Sequence, residues 1–309
     1  MMKILILGAG GVGGYFGAHL LRSGADVTFL VRERRKALIE ANGLQIETPR
    51  GAFSVRPKLV CANEVKPEYD LIILAPKSYD LDDALRSLDG AIGRGVVLPF
   101  LNGMDHLDAL DRQFGRAAVM GGVAHIAATI TESGAIRQLN DIHSLTVGPR
   151  HPAHAELARA FVDLCQAAEF DGIYAEDIEQ VLWDKWVFLA TLAGMTTVCR
   201  GSVGEIVATP HGEALTRQMY DACCEVARLS GYPTGAAARE RALTLLTTQG
   251  SAFTASMLRD LQAGQATEHE QVLGAMSRRG MALGLPMELL RLAHTHLAVQ
   301  AGRRAGAGA

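Results

Sequence analysis

Near its start the chain runs "KILIL" (3–7) straight into "GAGGVG" (8–13), and an amphipathic stretch follows through Leu21. A short apolar run cut off by glycine reads as a strand buried on both faces. It is too short for a membrane span and for the apolar region of a signal peptide. Gly8, Gly10 and Gly13 match G-x-G-x-x-G, with Gly11 inside the same loop. Glycines at this spacing allow a tight turn, let backbone approach a pyrophosphate, and bring the following helix close to the strand. The start of that helix offers unpaired N–H groups and a positive dipole end to phosphate. Glycine-rich turns are common. This one lies between a strand and a helix in a βαβ-sized unit, which points to a bound dinucleotide.

The strand signal repeats in "DVTFLVR" (26–32), "DLIILAP" (70–76), "VVLPFLN" (96–102) and "AAVMGGVAHI" (117–126), separated by polar or helical segments. Alternation of this kind predicts a parallel sheet with helices around it. "LQIETPRGAFSVRP" (44–57) reads as a hairpin, and "AIRQLNDIHSLTVG" (135–148) as further antiparallel strands. From Asp177 onward the pattern becomes long 3.6-residue periodicity broken by Gly and Pro. The reading is therefore α/β: a Rossmann-like, doubly wound N-terminal domain over 1–175 and an all-helical C-terminal domain over 176–309. A chain of 309 residues suits two domains.

The net charge of -3 gives no electrostatic reason to expect nucleic acid or an anionic membrane as partner. The five cysteines, Cys61, Cys165, Cys199, Cys223 and Cys224, are odd in number and show no C-x-x-C spacing. They predict neither a disulfide framework nor a zinc site, and no metal is expected. A reducing cytoplasm fits this usage.

An NAD-specific site commonly offers an acid to the ribose about twenty residues after the glycine loop. Here the second strand ends in Arg32, whose guanidinium suits a 2′-phosphate, so the expected cofactor is NADPH. Glu33 lies one position further and is the NAD alternative; Arg32 as a solvated surface charge is the other. Lys77 follows "DLIILAP" and Asn102-Gly103 closes "VVLPFLN", both where strand ends in such sheets meet ligand. An exposed loop lysine and a simple turn are the plain alternatives.

"VLWDKWVFLA" (181–190) sets a lysine inside an almost wholly apolar helix. Ile178, Val181, Leu182, Lys185, Leu189 and Leu192 share one stripe, while Trp186, Val187 and Ala190 make the other side apolar too. A desolvated ammonium is expensive unless it is paired, neutral or in use. Pairing with a distant acid, snorkelling along an interface, or a position where the helix frays competes with a catalytic role. A helix starting at Thr267, with Thr267 and Glu270 in capping-box spacing, would put Glu268 in its first turn. Ser256 and Asp260 fall at i, i+4 on the preceding helix. His125 and His143 read as structural.

Taken together, "ILGAGGVGGYFGAHL", "LVR", "LAPKSYD", "LNG", "LWDKW", "SMLRDL" and "TEHEQVLG" resemble the ketopantoate reductase (2-dehydropantoate 2-reductase) family over nearly the whole chain. The resemblance implies an active site in a cleft between an NADPH domain and a helical domain. It implies Lys185 as proton donor with Glu268 as its charged companion, and Ser256 holding the substrate carboxylate with Asp260 in support. Lys77 and Asn102 would contact the nicotinamide half of the cofactor, Asn102 also facing substrate, and Ala127 would offer a backbone contact. The chain departs from the family at Leu189 and Ala193, where asparagines usually bond the substrate, and at Leu101 and Asp105, where glutamine and glycine are common.

The expected activity is NADPH-dependent reduction of a 2-oxo acid, with ketopantoate as first substrate and a less polar 2-oxo acid as the variant the departures suggest. Two rivals stay open. One is a 3-hydroxyacid dehydrogenase, which also joins such domains and uses lysine; the other is a non-catalytic NADPH sensor. The expected partner is a small molecule. A homodimer is compatible with the helical domain, though no stripe in it specifies one.

Overall fold

The structure, a computed structural model, describes residues 1–88, 90 and 92–307, with side chains to 304. The chain divides into two compact units: Met1–Leu101 with His106–Ile178, and Asn102–Asp105 with Glu179–Ala309.

In the first unit β1 (Lys3–Leu7), β2 (Asp26–Leu30), β5 (Lys58–Val60), β6 (Leu71–Leu74) and β7 (Val96–Pro99) form a wholly parallel sheet in the order β5-β2-β1-β6-β7. Its central strands read as unbroken apolar runs because both faces are covered: Ile4, Leu5 and Ile6 on β1 and all of β6 are buried. Strand order reverses between β1 and β6, the kind of switch point outside which open α/β sheets bind ligands.

Helix α1 (Gly11–Arg22) carries four glycines, each unfavourable in a helix by about 0.5–1 kcal/mol. Close approach explains them. A Cβ on Gly13 would lie 2.3 Å from the Gly8 carbonyl oxygen, so the helix sits against β1 at a distance no side chain allows. Helix α2 (Glu33–Asn42) follows β2, with Arg32 as its N-cap residue.

The second sheet of this unit departs from expectation at two strands. β3 (Leu44–Thr48) and β4 (Gly51–Val55) do form the hairpin. However, β8 (Gly121–Ile130) pairs antiparallel with β9 (Ile136–Gly148), so the "AAVMGGVAHI" strand extends the second sheet instead of the parallel one. Among the described residues an isolated bridge, Val97 with Val119, continues toward the first sheet. A turn at 131–135 is short enough to join antiparallel neighbours, whereas a parallel partner requires a crossover. The segment expected to give further antiparallel strands is the single strand β9, antiparallel to β8 but parallel to both β3 and β10 (Asp171–Tyr174). Helices α3 (Leu81–Ser87), α4 (Asp105–Phe114) and α5 (Ala155–Ala167) complete the connections.

The second unit is helical: α6 (Ile178–Cys199), α7 (Val203–Val207), α8 (Gly212–Leu229), α9 (Ala236–Thr247), α10 (Ser256–Gln262), α11 (Ala275–Ala282) and α12 (Glu288–Ala307). α6 is buried nearly all round, through Trp183, Trp186, Val187, Ala190, Leu192 and Ala193. Its buried Thr191, Thr196 and Thr197 donate to the carbonyls of Val187, Leu192 and Ala193, so their hydroxyls need no outside partner. Trp183 stacks on Tyr232, and Trp186 Nε1 donates to the Val272 carbonyl at 3.0 Å. Among the described residues no helix is long and apolar enough to cross a membrane.

The capping box expected at Thr267 does not form. The helix begins at His269 and passes at once into a π-helical turn, Glu270–Gly274. Thr267 Oγ1 instead bonds His269 Nδ1 at 2.9 Å, and the Glu270 carboxylate reaches Arg278 and His294. A neighbouring histidine claims Thr267, and residues further along the chain claim Glu270.

Candidate active site

Within the first unit, the proposed nucleotide residues lie at the carboxyl ends of three adjacent strands. The glycine loop leaves β1, Arg32 follows β2, and Lys77 follows β6 at the start of a short 3-10 turn, Ser78–Asp80. Gly10 is the N-cap residue of α1 and supplies no side-chain cap, so the first amides of that helix point outward. Nothing lies within 4 Å of where a Gly10 Cβ would stand. Uncapped amides facing open space fit a pyrophosphate. Gly11 faces the carbonyl of Ala128, 3.3 Å from its notional Cβ, which sets the loop beside the bulge in β8 that contains Ala127.

The Arg32 side chain is 73% exposed and ion-paired with Asp80 at 3.3 Å and Asp83 at 3.5 Å. A surface guanidinium in such a setting can exchange weak carboxylate pairs for a phosphate. Arg35 belongs to no motif yet contacts the glycine loop. Its Nη2 donates to the Ala9 carbonyl at 3.0 Å and its Nη1 to the Gly134 carbonyl at 2.8 Å, tying the glycine loop to the β8–β9 turn. A basic residue one turn into α2 was the sole local signal. The Tyr15 hydroxyl donates to Gln138 Oε1 at 2.8 Å and is paired with His143 Nδ1 at 2.9 Å; His125 lies exposed on β8.

In the second unit the structure brings Asn102, Lys185 and Glu268 together. Asn102 Nδ2 donates to Glu268 Oε2 at 3.0 Å. Glu268 is only 6% exposed. Burial pulls the Lys185 pKa down from 10.5 to about 8, and the Glu268 carboxylate pushes it back up. A lysine with a pKa near 8 is mostly protonated at neutral pH.

Gly103 explains why Asn102–Asp105 belongs to this unit. Its φ is +80, and a Cβ there would meet the Gln271 carbonyl oxygen at 2.4 Å. The tetrapeptide lies flush on the π-helical turn, where a side chain would hold it off. Asp105 is ion-paired with Arg278 at 3.6 Å and Arg279 at 3.8 Å. Ser256 and Asp260 occupy one face of α10, both half-buried. Leu189 is half-buried one turn beyond Lys185, while Ala193 is fully buried.

Comparison with known proteins follows the same division. The sequence profile of ketopantoate reductase PanE/ApbA matches residues 4–152, and that of its C-terminal region matches residues 177–300. The chain is 32% identical to YkpB, an uncharacterised oxidoreductase of Bacillus subtilis (strain 168), over 96% of this chain and 98% of that one. It is 26% identical to 2-dehydropantoate 2-reductase of Archaeoglobus fulgidus, covering 92% and 93% of the two chains. The crystal structure of a ketopantoate reductase from Ralstonia eutropha JMP134 superposes with a TM-score of 0.88 at 25% identity, over 98% of this chain and all (100%) of that one. With profiles matching both halves and relatives aligned over almost its full length, the chain belongs to the ketopantoate reductase family, oxidoreductases that use NADPH.

Proposed function

We propose that the protein reduces a 2-oxo acid to the corresponding 2-hydroxy acid with NADPH, and that 2-dehydropantoate is its first candidate substrate. One observation carries this reading: a lysine set in an apolar helix, its pKa held near 8 by burial against the pull of Glu268.

Gly8, Gly10, Gly11 and Gly13 would cradle the pyrophosphate, with Arg32 on the 2′-phosphate and Lys77, Asn102 and the Ala127 backbone toward the nicotinamide half. When bound, NADPH supplies the hydride that the substrate carbonyl carbon accepts. The protein supplies the proton. Lys185 donates it to the carbonyl oxygen as negative charge builds there, acting as general acid and as electrostatic stabiliser. Glu268, fixed by Asn102, keeps the lysine protonated at neutral pH. Ser256 would hold the substrate carboxylate, and Asp260 would support that serine's face of α10.

A second substrate reading rests on Leu189 and Ala193. Neither side chain can bond a substrate hydroxyl, and a site lacking such bonds discriminates weakly in favour of the hydroxylated acid. A less polar branched 2-oxo acid is the substrate that the half-buried Leu189 would suit.

The test is a spectrophotometric screen of 2-oxo acids with NADPH and with NADH. Turnover of 2-dehydropantoate or a branched analogue, faster with NADPH, is the expected result. Tight NADPH binding without turnover of any 2-oxo acid would replace the reading with a binding protein. Oxidation of 3-hydroxy acids alone would replace it with the 3-hydroxyacid dehydrogenase.

A further inference from the structure

The π-helical turn presents a second constellation on other side chains. His269, Glu270 and His294 place one ligand atom each within 4.8 Å of one another. His294 comes from α12 and the other two from the start of the π-helical stretch, so no sequence spacing announces the set. We propose that these three residues form a site for one divalent first-row transition ion of the zinc class.

The donor chemistry selects the ion. Two imidazoles and one carboxylate suit zinc and its neighbours, whereas magnesium and calcium prefer all-oxygen shells. Each donor is already oriented. His269 Nδ1 bonds both Thr267 Oγ1 at 2.9 Å and the Thr267 carbonyl at 3.3 Å, which assigns the proton to Nδ1 and leaves the Nε2 lone pair for a metal. His294 aims Nε2 at Glu270 Oε1, 2.6 Å away. Arg278 holds the other oxygen, Oε2, at 2.9 Å and leaves Oε1 as the coordinating atom. Donors bound to one ion at ~2 Å each stand on the order of 3 Å apart, so the ion displaces to solvent the proton that His294 Nε2 places against Glu270 Oε1, and the contact opens slightly.

Three protein donors leave a coordination position open. Beside Glu270 and His294 is a cavity of about 310 Å³, lined also by Ser277, Arg291 and Thr295, with room for a water or a small anion to complete the shell. Because His269 directly follows Glu268, an ion bound here would tie the turn that carries the active-site carboxylate to α12.

The test uses the tag-free full chain, titrated with zinc by calorimetry and with cobalt by visible absorption. One equivalent should bind with imidazole–carboxylate d–d bands, and added zinc should raise Tm. His269→Gln and His294→Gln should each weaken binding about tenfold or more and abolish the Tm rise. Cys199→Ser and His151→Gln, which remove exposed donors elsewhere, should leave both readings unchanged. Absence of stoichiometric binding, equal binding by the wild type and the two histidine variants, or a thiolate-to-cobalt charge-transfer band would each overturn the site. If the histidine variants fail to fold, the wild-type cobalt spectrum alone decides between thiolate and imidazole ligation.

Discussion

Asn102 donates its side-chain amide to the Glu268 carboxylate at 3.0 Å, across 166 positions of sequence. The bond fixes the buried acid whose field raises the Lys185 pKa. It also gives Asn102 a role beyond the cofactor contact that family resemblance implies.

The pH profile of reduction should report Lys185. The group must be protonated to act, so kcat/KM should be level below about pH 8 and fall as pH rises through that value. Glu268→Gln removes the interaction that raises the pKa, so the limb should move to lower pH. An unmoved limb in the variant would dissociate Glu268 from the acid. Lys185→Met should lower kcat by roughly 10²–10⁴-fold while NADPH affinity, read by fluorescence titration, stays within a few-fold.

Arg32→Ala should weaken NADPH much more than NADH, because only the former carries the phosphate that a guanidinium binds bidentately. Asp83→Asn should tighten NADPH by a few-fold, since an exposed pair such as Arg32–Asp83 is worth roughly 0–1 kcal/mol. Equal losses of both nucleotides in Arg32→Ala would remove the 2′-phosphate assignment.

Arg35→Met should raise KM for NADPH with kcat retained, because Arg35 braces the Ala9 carbonyl of the glycine loop without belonging to the chemistry. Initial-rate measurements at varied NADPH separate the two constants. A fall in kcat alone would contradict the bracing role.

Gly103→Ala should destabilise the protein by about 1–3 kcal/mol in urea unfolding, because φ is +80 and the new Cβ would collide with the Gln271 carbonyl. It should also lower activity by displacing Asn102. Wild-type stability in this variant would mean that the tetrapeptide has other seats.

Leu189→Asn should shift preference toward 2-dehydropantoate over 2-oxo acids without a hydroxyl, measured as a ratio of kcat/KM values. Ala193→Asn should instead cost about 1–3 kcal/mol of stability through overpacking, because Ala193 has no exposed surface. The two positions that look equivalent in sequence therefore differ in what they tolerate.

Much of this protein was legible locally. The "KILIL"–"GAGGVG" junction specified a buried strand, a tight turn and a closely packed helix, since glycine content and apolar run length act over a few residues. Periodicity placed Lys185 in a buried helix and Ser256 with Asp260 on one face of α10 for the same reason.

Tertiary structure decided what those segments met. Sheet pairing sent β8 to an antiparallel partner, and Glu270 left the expected capping box for Arg278 and His294. The contact of Asn102 with Glu268 and the pKa of Lys185 depend on which distant surfaces exclude water together. Local propensity carries no information about that: contacts between remote segments form only when burial offsets the entropy of closing long loops, and that balance belongs to the whole packed unit.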